Sequence, residues 1–164
     1  MKRALFIIGI LIVATPLVSG QKGTTKPAKK MKIAKGTFEV KVVPLAAEDN
    51  VGDPSIGRLS LDKTFAGDLV GTSKGQMLGI NTEVKESGGY VAAERVVGTL
   101  EGRKGTFALQ HSGTMQGGKF ELNVIIVPDS GTGELLGIAG KLTIIIENGK
   151  HFYELTYSLP EQKK

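Results

Sequence analysis

Cysteine and tryptophan are both missing from this 164-residue chain. Without cysteine there are no disulfide staples, no thiolate metal sites, no cysteine nucleophile and no lipid anchor of the bacterial type, which needs a cysteine. Aromatic residues are 5% of the total, too few to supply the stacking platforms that single-stranded nucleic acids or sugars use. From Gly36 onward no window of ten or more residues carries an apolar stripe of helical period. What is present suits one folded domain: 40% hydrophobic residues, 23% charged residues, and 23 glycines against 6 prolines, a ratio that points to tight turns and close strand contacts.

The first twenty residues read as a secretory signal peptide. Met1-Lys2-Arg3 is a basic start, Ala4 to Val13 an apolar run, and Pro16-Leu17-Val18-Ser19-Gly20 a small-residue cleavage region. Cleavage after Gly20 places Val18 at the minus-three position. A retained membrane anchor is the alternative, but the apolar run is shorter than the roughly 20 residues that a spanning helix needs. The expected destination is the periplasm or the exterior.

The net charge of +5 divides unevenly along the chain. Residues 21–35 hold six lysines (22, 26, 29, 30, 32 and 35) and no acid, which reads as a basic flexible linker. Such an arm is suited to weak contact with an anionic membrane surface. Residues 36–160, the expected folded domain, hold 11 basic and 15 acidic residues, a net of −4, and 161–164 form a short tail. The body shows no basic stripe, which argues against a nucleic-acid partner.

That body reads as strands throughout, short β-branched or aromatic runs closed by Gly, Asp or Asn. The spacing predicts eight or nine of them: 36–43, 57–63, 67–71, 76–85, 89–100, 105–113, 119–127, 135–147 and 151–159. Consecutive strands with short turns make an antiparallel meander, and closing it removes the exposed edges. The expected fold is therefore all-β, a closed antiparallel barrel of about eight strands. The two longer links, 44–56 and 128–133, are expected to be mobile loops near one mouth.

Two hairpins are readable residue by residue. Asn148-Gly149 signals a type I′ turn and sets Glu147 opposite Lys150, Ile145 opposite Phe152 and Thr143 opposite Glu154. The other face, with Leu142, Ile144, Ile146, His151, Tyr153, Leu155 and Tyr157, then points inward. In the second hairpin, Gly102 as first residue of a type II′ turn sets Glu101 opposite Lys104, Val96 opposite Leu109 and Glu94 opposite His111. Glu94 and His111 are thereby expected side by side on the inner wall, in a register set by the loop length.

The runs Phe65-Ala66-Gly67-Asp68-Leu69-Val70-Gly71, Gly89-Tyr90-Val91-Ala92-Ala93-Glu94-Arg95, Phe107-Ala108-Leu109-Gln110-His111 and Val127-Pro128-Asp129-Ser130-Gly131-Thr132-Gly133-Glu134-Leu135 resemble the domain-of-unknown-function family 3224. Members are similar in fold to the allene oxide cyclase barrel, related in architecture to lipocalins. The resemblance spans about residues 31–159 and implies the barrel; it implies no reaction.

Three functions remain open. The leading expectation is an exported barrel that holds a small, mostly apolar molecule in its lumen, with Glu94 and His111 orienting a polar end and Tyr90, His151, Tyr153 and Tyr157 lining the same space. The second is a cyclase or isomerase that uses Glu94 and His111 as a catalytic acid–base pair and needs no cofactor. The third is a structural module with a filled barrel that assembles through its outer face; homo-oligomerisation is left open. No metal site is expected, because the chain has two histidines and Glu94, His111 and His151 would have to converge from three strands. The acids and hydroxyls of 128–134 do not follow EF-hand spacing and read as turn chemistry. Gly140-Lys141 is followed by Leu142 rather than Ser or Thr, so no phosphate cradle is expected.

Overall fold

The computed structural model describes residues 30–46 and 52–160. The expected signal peptide, most of the expected linker and the tail lie outside the described residues. Eight strands run β1 (Lys32–Pro44), β2 (Ile56–Gly67), β3 (Leu69–Asn81), β4 (Gly88–Leu100), β5 (Arg103–Gln116), β6 (Lys119–Ile126), β7 (Ala139–Glu147) and β8 (Lys150–Ser158). They pair antiparallel in chain order and close through β1 and β8, an all-β barrel as expected.

Several boundaries differ from the sequence reading. β1 starts at Lys32, inside the segment read as linker, because Ala34 and Gly36 present small residues inward while Lys32, on the inward face, stands exposed at the barrel rim and Lys35 points out. Those two lysines pair with Glu101 and Glu154. The expected strands 67–71 and 76–85 merge into one strand, β3, which runs only from Leu69 to Asn81 and includes the residues between them. β7 starts at Ala139, four residues later than expected, because Gly133–Leu135 forms a 3-10 turn.

The turn at 148–149 has the expected form, with φ of +50° at Asn148 and +75° at Gly149, and its pairings are Glu147↔Lys150, Ile145↔Phe152 and Thr143↔Glu154. The β4–β5 turn does not. Its central residues are Glu101 and Gly102, at φ +46° and +83°, so the expected type II′ turn at Gly102 is a turn with left-handed residues at both central positions. Glu101 is held there by its backbone N–H, which donates to the Asp68 carbonyl at 2.8 Å, and by the ion pair to Lys32 at 2.6 Å. The register therefore differs by two residues: Glu94 faces Leu109, His111 faces Ala92, and Val96 faces Phe107. A two-residue difference keeps every side chain on its face.

The lumen has two unlike halves. At the end formed by the starts of β1 and β3 and the close of β4, Phe65, Leu69, Leu100, Phe107, Leu135, Ile138, Tyr153 and Tyr157 are packed solid. The link 127–138 plugs this end and is not the mobile mouth loop expected. It runs along β5, with Thr132 N–H donating to Thr106 O at 2.8 Å, Ala108 N–H to Ser130 Oγ at 3.0 Å and Lys104 N–H to Glu134 Oε2 at 2.8 Å. The Glu134 carboxylate and the Ser130 and Thr132 hydroxyls there bond the backbone. At the opposite end the barrel is open. On one side of it β6 and β7 share a single register pair, Ile125↔Lys141, and separate toward the mouth.

An added Cβ at Gly102 or at Gly149 meets nothing within 4 Å, so alanine there tests backbone strain alone. Gly102→Ala and Gly149→Ala should each cost about 1–2 kcal/mol in urea denaturation. Gly75→Ala should cost more than either, because its Cβ would lie 2.3 Å from the Ala93 carbonyl oxygen.

Candidate functional site

Between the packed half and the open half lies a polar cluster drawn from four consecutive strands. Lys63 on β2 and Ser73 on β3 are register partners; Glu94 on β4 faces Gly75 and His111 on β5 faces Ala92. All four point inward by simple alternation, Lys63 between Leu61 and Phe65, Glu94 between Ala92 and Val96. Gly75 matters here: a side chain at that point would collide with Glu94 Cβ at 2.6 Å.

The Glu94 carboxylate is the hub. Lys63 Nζ donates to Oε1 at 2.6 Å, His111 Nε2 meets the same oxygen at 2.8 Å, and Ser73 Oγ donates to Oε2 at 2.5 Å. The side chains of Glu94, His111 and Lys63 are 0, 2 and 4% exposed. Burial by itself raises the Glu94 pKa, but the hydrogen bond from His111, the charge and hydrogen bond of Lys63 and the hydroxyl of Ser73 outweigh it and bring the carboxyl down to about 2. An ionised carboxylate only accepts, so His111 holds a proton on Nε2. Nδ1 makes no hydrogen bond, and since no fully buried side-chain nitrogen or oxygen of the described residues lacks a partner, Nδ1 is reached by the open space above.

That space is a cavity of about 600 Å³. Its walls are Phe38, Val40, Val42, Leu61, Met77, Phe120, Leu122, Ile144 and Ile146, and its polar groups are Lys63, His111, Tyr90 and His151. The Tyr90 ring stacks on Phe120 at 6.4 Å, and the His151 ring lies 5.1 Å from that of Phe38, which also carries Lys63 Nζ 5.1 Å from its centroid. Burial and then the Glu94 charge push the Tyr90 hydroxyl pKa up, so it stays a neutral donor. A second hollow of about 550 Å³ adjoins at the mouth, shares Met77, Tyr90 and Phe120, and extends to Pro54 and Ser55.

The expected site residues thus divide. Tyr90, His111 and His151 face the cavity. Glu94 lies behind it and bonds Lys63 and His111. Tyr153 and Tyr157 point inward as expected but belong to the packed end, not to the cavity wall. The Tyr153 hydroxyl accepts from the Leu69 N–H at 2.9 Å, and Tyr157 is pushed well above an ordinary tyrosine by burial and by the Glu101 carboxylate it bonds. Lys63 and Ser73 went unrecognised in the sequence. Lys63 stood at the end of an expected strand and Ser73 between two, although the inward order Leu61, Lys63, Phe65 was there to be read. Among the described residues no three His, Asp or Glu side chains are grouped as metal ligands.

An eight-stranded antiparallel barrel packed at one end and cupped at the other, with a buried charged floor, defines the class. A family model described as "Protein of unknown function (DUF3224)" matches residues 34–157, and the chain belongs to that family. A crystal structure at 1.84 Å resolution of a protein with unknown function from the same family, from Shewanella oneidensis MR-1, is 47% identical. It superposes with a TM-score of 0.74, and the match covers 81% of this chain and 100% of that one. No curated protein matches.

Glu94 sets a pH dependence. Its folded pKa of about 2 lies below the ordinary 4.5, so its contribution is complete above about pH 4.5 and is lost as the pH falls toward 2. Urea denaturation should show about 3 kcal/mol lost over that window. Glu94→Gln should abolish this component and leave Lys63 buried without its counter-charge, at a cost of about 3–5 kcal/mol, part of which Lys63→Met should restore in the double variant.

Proposed function

We propose that this protein is an exported binding barrel that holds one small, mostly apolar molecule in the open half of its lumen, its polar end seated on Lys63 and His111. The observation that carries the reading is the pairing of an apolar wall with convergent polar groups at the bottom of a preformed cavity of about 600 Å³. Eight-stranded barrels have room for packed side chains or for one small ligand, and this chain divides its lumen between the two. The basic start and apolar run of residues 1–13 support export. One observation favours a second reading, a proton-transferring cyclase or isomerase. Glu94 fixes the His111 tautomer from behind and leaves Nδ1 toward the cavity, the arrangement in which a carboxylate orients an imidazole base.

The neutral dye N-phenyl-1-naphthylamine should gain fluorescence on titration with the purified protein. Leu122→Trp, which fills the cavity from its wall, should weaken that binding at least about tenfold without loss of the cooperative unfolding transition. No fluorescence gain with the wild-type protein would overturn the ligand-holding reading.

A further inference from the structure

The cavity floor carries a second level of information, the charge state and hydrogen-bonding pattern of the group it accepts. Lys63 brings a positive charge that Glu94 cancels at 2.6 Å, so the floor is a closed ion pair. Glu94 accepts one of the three ammonium N–H groups, and the same oxygen takes the His111 Nε2 proton, so the ammonium and the imidazole stand side by side. What they offer upward differs: Lys63 has N–H donors to spare, while His111, protonated on Nε2, offers a lone pair at Nδ1. A ligand head that both accepts and donates satisfies both. A carboxylate only accepts; it would meet the Nδ1 lone pair, find no uncompensated positive charge, and lose its water. An alkylammonium would meet Lys63.

We infer that the barrel selects apolar chains ending in an uncharged donor–acceptor group, a carboxamide or an alcohol, over the corresponding carboxylates and amines. The inference rests on the ligand-holding reading above and adds the chemistry of the head group. Its test is a matched ten-carbon series (decanamide, 1-decanol, decanoate and decylamine) competing with N-phenyl-1-naphthylamine at pH 8. Decanamide or 1-decanol should displace the dye at concentrations at least about tenfold lower than decanoate or decylamine. Glu94→Gln, which removes the compensating charge from Lys63, should reverse the order in favour of decanoate, and Lys63→Met should relax the rejection of decylamine. The wild-type series decides the matter even where a variant fails to fold. Decanoate displacing the dye as well as decanamide does would overturn the head-group inference and leave the cup intact. Failure of all four to displace, together with no dye binding, would overturn both.

Discussion

The fold turns on one ionised carboxylate. Glu94 lies inside a barrel with no exposed atom on its side chain, a position that costs several kcal/mol unless the charge is met by donors. Three donors meet it, from β2, β3 and β5, each at hydrogen-bond distance. The arrangement fixes how four strands lie beside each other, because a one-residue slip would send Lys63 or Glu94 to the outer face and strand its partner. Glycine at position 75 is the local condition for it, since that point of β3 must leave the space that the Glu94 side chain enters.

The same carboxylate separates two kinds of interior. Below it, aromatic and branched side chains from all round the barrel meet, and the 127–138 link adds Leu135 and Ile138 as a stopper. Above it the inward residues line the wall without closing the middle, and the aromatic rings of Phe38, Tyr90 and Phe120 lie against neighbours on the wall itself. The buried pair is thus floor and ceiling at once. Its net neutrality keeps it tolerable to the apolar packing beneath, while Lys63 and His111 line the cavity above.

Much of this was legible in the sequence, and the misses have physical reasons. Asn148-Gly149 specifies its turn because both central residues need positive φ, and the structure follows it to the residue. Glu101-Gly102 was harder. Glutamate is a poor candidate for the left-handed region, and it takes that position through bonds to Asp68 and Lys32 that no local pattern encodes. The error was even in length, so Glu94 and His111 stayed on one face and still meet diagonally. Alternation reveals face but not depth, which is why Tyr153 and Tyr157 were placed inward correctly yet at the wrong end. Lys63 was missed because a lysine reads as a strand terminus unless the apolar residues two positions to either side are weighed with it.

The separation of β6 from β7 means that closure is of two kinds. β1 and β8 are joined by a continuous ladder from Lys32↔Tyr157 to Phe38↔His151, whereas β6 and β7 share one ladder rung. The molecule is a rolled sheet with a clasp, held by continuous ladders across the four strands that carry the charged cluster and by one rung on the wall where Leu122 and Ile144 line the cavity. Widening the lumen would cost the fewest backbone hydrogen bonds at that clasp. The hydrogen bonds around Glu94 lie on other strands, so the tightly bonded cluster and the loosely joined wall occupy different sides of the same barrel.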